Sequence, residues 1–189
     1  MIKIIGGYKK RTIIDVPTIN VRPTSIKKRE AIFSIIKSYS VKKNLNFFNN
    51  INILDLFSGS GALGLEAISR GSIYGYFYEN NKNNINFLKK NCLKVCENKN
   101  FQIIQKNILD CNFEEIDKKI SLVFIDPPYD TNPFEKILDK IYAANILTKK
   151  AIIILESSKN IKINVPVYYD CFDNRIYKKT KIFFLKKNS

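Results

Sequence analysis

Asp126, Pro127, Pro128 and Tyr129 follow directly on the apolar run Leu122-Val123-Phe124-Ile125. A short buried strand that stops in an acid, two prolines and an aromatic ring holds groups with a definite chemistry. The prolines donate no ladder hydrogen bond and fix their own φ, so the strand ends there and the turn is stiff. Stiffness holds the Asp126 carboxylate, the Pro127 carbonyl and the Tyr129 ring around one small pocket. Two acceptors beside a flat apolar face suit a planar ring bearing an NH2 group, which is the chemistry of a nucleobase exocyclic amine. The same residues serve equally as a rigid strand-to-helix turn in which Asp126 is a local cap and Tyr129 is packing. A second motif upstream bears on the choice.

Ile53-Leu54-Asp55-Leu56 leads into Gly59-Ser60-Gly61-Ala62-Leu63-Gly64, a match to G-x-G-x-x-G between a strand and a helix, and Glu79 ends the next strand. Two ligands fit such a loop. A dinucleotide sets its pyrophosphate on the helix N-terminus. S-adenosylmethionine carries no phosphate, only an ammonium, a carboxylate, a sulfonium and an adenosine. Asp55, four residues before the first glycine, would repel phosphates and attract the ammonium. Gly59 and Gly61 let the backbone approach the methionine end, and Glu79 accepts hydrogen bonds from the ribose hydroxyls. The plainer alternative pairs Asp55 with an arginine and leaves the glycines to pack strand on helix. Taken with Asp-Pro-Pro-Tyr, the methyl-donor assignment is favoured, with the ends of the first, second and fourth sheet strands facing one crevice.

Those positions need a particular scaffold. Apolar strands are expected at 51–56, 73–78, 101–105, 121–125, 150–155, 166–172 and 180–185, with helices near 62–70, 81–96, 112–118 and 133–145. Near-continuous apolar strands alternating with amphipathic helices predict an α/β fold with a mostly parallel sheet covered on both faces. The last two strands have only Asp173 to Lys179 between them, a terminal antiparallel hairpin. Before the sheet, residues 1–14 predict a small hairpin turning at Gly6-Gly7, Pro17 and Pro23 an extended stretch, and Ser25 the cap of a helix to about Tyr39. Lys27, Lys28 and Arg29 crowd the first turns of that helix, against its dipole.

The chain has 189 residues, enough for one domain with a full core, and its apolar content of 45% is ordinary for a globular protein. No apolar run approaches a membrane span, and the N-terminus is charged too early for a secretory signal. Its four cysteines lack CxxC spacing and have no histidine to help them hold a metal, so they are expected as reduced thiols in a cytoplasmic protein. The formal charge of +15 fits a polyanionic partner. Lysine dominates the basic residues, however, in a sequence crowded with Asn, Ile, Phe and Tyr, and drift of the codons toward A and T produces the same excess. The five arginines are therefore better site candidates than any single lysine. Zero histidines excludes histidine triads and imidazole acid–base chemistry.

The run Asp55 to Gly71, the segment Phe124 to Tyr129, and Arg22-Pro23-Thr24-Ser25 with Arg29-Glu30-Ala31-Ile32-Phe33 resemble the RsmD-like family, bacterial methyltransferases that modify the N2 amine of a guanine in 16S ribosomal RNA. The resemblance spans nearly the whole chain. It implies a class I S-adenosylmethionine-dependent methyltransferase fold, Rossmann-like and seven-stranded. Residues 1–40 would be an N-terminal hairpin-and-helix extension and 41–189 the methyltransferase domain. The resemblance assigns Asp55, Phe57, Gly59, Ser60, Gly61 and Glu79 to the donor, and Asp126, Pro127, Pro128 and Tyr129 to the target base. Arg22 and Thr24 would close over the donor or the incoming RNA, and Asn107 falls where a polar residue contacts the adenine, a position where the family often has Asp. Ile26 stands where an acid is usual, and Lys178 follows Tyr177 where a glycine is common. The implied partner is 16S RNA or the small-subunit particle, met by a cytoplasmic monomer without a metal or a membrane. Rival assignments stay open: an adenine-N6 methyltransferase on DNA or RNA, a glutamine-N5 protein methyltransferase, an RNA-binding assembly factor with a decayed pocket, and an NAD oxidoreductase.

Overall fold

The structure, a computed structural model, describes residues 2–16, 25–43, 47–97, 100–128 and 132–188. In chain order its elements are β1 (Ile2–Lys3), β2 (Ile13–Ile14), α1 (Ile26–Lys42), β3 (Asn52–Leu56), α2 (Ala62–Ser69), β4 (Tyr74–Tyr78), α3 (Lys82–Val95), β5 (Phe101–Ile104), β6 (Ile120–Ile125), α4 (Phe134–Ala143), β7 (Leu147–Ser158), β8 (Tyr169–Tyr177) and β9 (Thr180–Lys187), with a 3-10 turn at Ile108–Asp110. β1 pairs with β2 alone, and the other seven strands form one sheet in the order β5-β4-β3-β6-β7-β9-β8. The pairs from β5 to β7 are parallel, and β9 runs antiparallel to both neighbours.

Alternation along the strands sorts their side chains onto two covered faces. Ile53, Phe77, Leu122, Phe124, Ile152, Ile154 and Phe184 pack beneath Ile32, Phe33 and Ile36 of α1, Leu65 and Ile68 of α2, and Leu88, Cys92 and Val95 of α3. Leu54, Leu56, Tyr76, Tyr78, Val123, Ile125, Ile153 and Leu155 pack against Phe134, Ile137, Leu138 and Ile141 of α4. Each fully buried Ile or Phe among them contributes about 1.5–3 kcal/mol.

Two expectations change. The stretch 112–118 forms no helix. Phe113 adopts a left-handed φ of 62° and drops into the core edge-on to Tyr78. Beyond it, Glu115 accepts from the Tyr78 hydroxyl (3.0 Å) and Asp117 from the Tyr76 hydroxyl, so the segment is spent on satisfying two tyrosines of β4. The terminal hairpin turns only at Lys178-Lys179, because β8 continues to Tyr177. Lys178 there takes φ 55°, a conformation that a glycine adopts freely.

The N-terminal hairpin is fastened to α1 and α2 by one buried carboxylate. Glu66 Oε2 accepts from the Ile5 N–H and Oε1 from the Gly6 N–H, each at 2.8 Å. Arg70 Nε and Nη2 both lie 2.8 Å from Oε1, and the Arg29 guanidinium, wholly buried, stands 3.7 Å from Oε2 while donating to the Lys3 carbonyl. Lys28, its neighbour on α1, is ion-paired with Glu156 of β7. Lys28 and Arg29 at the basic start of α1 are thus met by carboxylates from other elements, against a dipole penalty of a few tenths of a kcal/mol. Glu66→Gln leaves the Arg29 guanidinium buried without its counter-charge, so we expect a loss of about 3–5 kcal/mol in urea denaturation followed by circular dichroism. A loss below about 1 kcal/mol would show that the network contributes little.

Candidate functional site

β3 must leave the sheet and turn back into α2 within a few residues, and the loop does so with an unusual backbone. Phe57 (φ 61°), Gly59 (φ 55°) and Gly61 (φ 80°) are all left-handed. Such a conformation in an aromatic residue is strained and persists only where the surroundings enforce it. Here the Ser58 N–H and hydroxyl both reach the Tyr78 carbonyl, the hydroxyl also meets the Asp55 carbonyl at 2.6 Å, and the Gly61 N–H closes on the Ser58 carbonyl. The two loop glycines differ in purpose. A Cβ on Gly61 would strike Leu88 at 2.6 Å, whereas one on Gly59 would find no atom nearer than 4.0 Å. Gly59 therefore presents bare backbone to open space, which is what a ligand in close approach requires.

Asp55, one residue before the end of β3, lies buried beneath this loop and accepts from the Gly64 N–H at 2.9 Å. Gly61, the N-cap of α2, supplies no side-chain cap, so Asp55 satisfies an orphan donor of the first turn from outside the helix. Its fit explains the third glycine of the motif: a Cβ on Gly64 would come within 2.4 Å of the Phe77 ring and 2.9 Å of Asp55 Oδ2. One strand over, Glu79 follows β4 with Oε2 accepting from the Gly59 N–H and Oε1 from the Asn81 N–H, each at 2.8 Å. Backbone donors on two sides hold this carboxylate at the mouth of the loop.

Asp126, half-buried, and the buried Pro127 follow β6 on the other side of β3, and Pro128 is exposed. The fold thereby brings Asp55, Glu79 and Asp126 from three adjacent strands to one crevice, close enough to interact electrostatically. Burial pushes the Asp55 carboxyl up to about 8; the Gly64 N–H opposes this, and the charges of Asp126 and Glu79 add to it. A cationic group bound here would be favoured by all three. Asn107 stands at the end of β5, its side chain accepting from the Leu109 N–H (3.2 Å) and donating to Asp110 Oδ2 (2.9 Å) as the cap of the 3-10 turn. Ser60 is buried, and its carbonyl faces α3. Tyr129, Arg22 and Thr24 lie outside the described residues, as does the stretch from Pro17 to Pro23.

Residues not singled out by motif also belong to this region. Asn91, wholly buried on α3, donates from Nδ2 to the Ser60 carbonyl (2.9 Å) and the Asp15 carbonyl (2.8 Å), and accepts at Oδ1 from the Asp15 N–H (2.8 Å). It ties the glycine loop to the chain that leaves the N-terminal hairpin. The signal for it was a polar residue on the apolar stripe Leu88, Cys92, Val95. Glu156, buried on β7 and bridged to Lys28, was announced by an acid closing the apolar run Ile152 to Leu155, the same signature that drew attention to Asp126.

A family model described as conserved hypothetical protein 95 matches residues 2–186. The ribosomal RNA small subunit methyltransferase D of Buchnera aphidicola (subsp. Baizongia pistaciae) is 34% identical over 95% of this chain and 86% of its own length. The uncharacterized methylase RP545 of Rickettsia prowazekii is 29% identical over 100% of this chain and 99% of its own. Among solved structures, the yhhF protein of Escherichia coli, described as a candidate methyltransferase, superposes with a TM-score of 0.83 at 24% identity, covering 98% of this chain and 97% of that one. The sheet order and this likeness make the fold that of the class I methyltransferases.

The chain has no histidine, and burial raises the Asp55 carboxyl to about 8. Its pKa is raised on folding, so the folded state binds the extra proton: the stabilisation is complete below about pH 4 and is lost as pH rises toward 8. We expect stability, measured by denaturation at fixed ionic strength, to decline across pH 5–8 by up to about 1.4 kcal/mol per unit, and Asp55→Asn to flatten that slope. A flat wild-type profile would sink the assignment.

Proposed function

This chain belongs to the family described as conserved hypothetical protein 95, into which the RsmD-like methyltransferases fall, and from that premise we propose that it transfers the methyl group of S-adenosylmethionine to the exocyclic N2 amine of a guanine in 16S ribosomal RNA. The observation that carries the proposal is the pairing, on adjacent strands of one sheet, of a left-handed glycine loop over a buried acid with an Asp-Pro-Pro turn. The first suits the amino-acid end of a sulfonium donor and the second an aromatic amine.

The donor supplies a methyl group made electrophilic by its sulfonium. Asp55 and the bare backbone of Gly59 favour its ammonium and methionine end, and Glu79 faces the ribose hydroxyls from a position fixed by the Gly59 and Asn81 N–H groups. A guanine N2 lone pair is delocalised into the ring and is a poor nucleophile. Asp126 and the Pro127 carbonyl accept its two N–H groups, draw the nitrogen toward tetrahedral geometry and free the lone pair, while Tyr129 stacks on the base. The new N–C bond forms as the C–S bond breaks, and the proton on the now acidic nitrogen passes to Asp126 or to water. Positioning and desolvation supply most of the rate, so no group tuned to neutrality is needed. The target base must be splayed from its neighbours, which loops and helix ends of RNA allow at small cost.

Asp126→Ala should keep donor affinity within about threefold by calorimetry, while transfer of labelled methyl to undermethylated small-subunit RNA falls by about 100-fold or more. Near-normal turnover in that variant, or a product other than N2-methylguanosine in mass-spectrometric mapping, would count against the proposal.

A further inference from the structure

The strands of the sheet end at different heights. Leu56 stands opposite Ile125, and Ile125 opposite Leu155, so β3, β6 and β7 are level where the crevice opens. β7 then runs on through Glu156, Ser157 and Ser158, still paired with β9 as far as Thr180. At about 3.3 Å per residue, this carries the end of the terminal hairpin about 10 Å beyond the level of the crevice. β9 lies two strands from β6, which sets the tip about 10 Å to the side of the Asp-Pro-Pro turn.

Charge collects at this overhang. Lys178 and Lys179 form the turn between β8 and β9, and the Lys179 carbonyl accepts from the Lys159 N–H at 2.9 Å. That bond brings the first residue after β7 against the tip, and all three lysines are exposed. The acids of β7 and β8 are engaged elsewhere, Glu156 with Lys28, Asp170 with Lys186 and Asp173 with Arg175. Among the described residues, no carboxylate is ion-paired with the lysines of the tip. Lysine is abundant in this chain, and a cluster of three would mean little by itself. The backbone sets this cluster apart. Lys178 takes φ 55°, a conformation strained for a residue with a Cβ and free for a glycine. A cation is held at the tip against the local preference of the chain, and strain of this kind gathers at binding sites.

Resting on the proposal that RNA carries the target base, we infer that the tip of the β8–β9 hairpin, with Lys159, is a contact surface for RNA phosphates flanking the target nucleotide. A base splayed into the crevice leaves its backbone above the rim, where the overhanging tip meets it from the β7 side. The lysines act there as point charges that release counterions, so they add affinity and orientation without reading sequence.

The test compares two variants that each remove two positive charges. Lys178→Gly/Lys179→Ser strips the tip, and Lys149→Ser/Lys150→Ser strips two exposed lysines near the opposite end of β7. The substrate is undermethylated small-subunit RNA, free or in the reconstituted particle, whichever the wild-type protein methylates. The tip variant should raise KM for RNA about 10-fold at low salt and lower the slope of log KM against log[salt] by about 1.5. Its kcat at saturating RNA and its donor affinity by calorimetry should stay within about twofold of wild type. Its melting temperature should hold or rise, because the strain at Lys178 is relieved. The Lys149/Lys150 variant should keep KM within about twofold. Equal losses in the two variants overturn the assignment, since overall charge alone would then account for the affinity. A tip variant with the wild-type KM and salt slope overturns it directly. Lys178→Asn/Lys179→Gln, which also accepts the left-handed turn, takes its place if the first variant does not fold. Absence of methyl transfer from the wild-type reaction is seen before any variant is made, and it overturns the RNA proposal itself and the role of the tip with it.

Discussion

A carboxylate with no water around it organises this end of the molecule. Asp55 is buried under the first turn of α2, where it caps a helix whose own N-cap is a glycine, and its contact with Gly64 leaves no room for a side chain there. That fit brings α2 down on β3 and Phe77, and the loop between them is then short enough to need three left-handed residues. The same burial that makes Asp55 a good structural element makes it a poor anion, with a carboxyl pushed up to about 8. Asp126 and Glu79 on the flanking strands add to the conflict. Acids gathered around one that is buried are costly to the free protein and favourable to a cationic ligand, as is common at functional sites.

The N-terminal extension is attached by a different device, buried charge that is met by opposite charge. Glu66 gathers two backbone N–H groups of the hairpin and two arginines, and Arg29 reaches on to the Lys3 carbonyl. Asn91 then joins the exit of the hairpin at Asp15 to the carbonyl of Ser60 in the glycine loop. Lys28 carries α1 across to β7 through Glu156. Of these contacts, the one through Asn91 reaches the glycine loop itself. Asn91 thereby ties the end of the hairpin at Asp15 to the glycine loop.

Much of the fold was legible because burial on two faces writes itself as unbroken apolar runs. The sheet strands β3 to β7 and β9 fall where Val, Ile, Leu, Phe and Tyr cluster, and α3 where Leu88, Cys92 and Val95 recur at helical spacing. The false helix at 112–118 shows the limit. Glu115 and Asp117 are bound to tyrosines of β4, 37 and 41 residues away in the chain, a demand that no local pattern announces. Lys178 stands where a glycine is common, and tertiary pairing of β8 with β9 holds the lysine left-handed all the same.

At the site the division is similar. Acids and glycines at strand ends are local events, so Asp55, Gly59, Gly61, Glu79 and Asp126 could be named from spacing alone. What stands next to them could not. β6 begins with Ile120 opposite Leu147, but an irregularity before Leu122 shifts the partner to Ile152. Without that shift Ile153, a core residue of the other face, would stand beside Asp126 in place of Glu156. Residue types and their order along the chain determined that the protein has an acid beneath a glycine loop and an Asp-Pro-Pro turn at a strand end. Only the tertiary structure decided that Asp55 would be buried, that Asn91 would bridge to Asp15, and that Glu156 would pair with Lys28, because register and desolvation are set by distant strands.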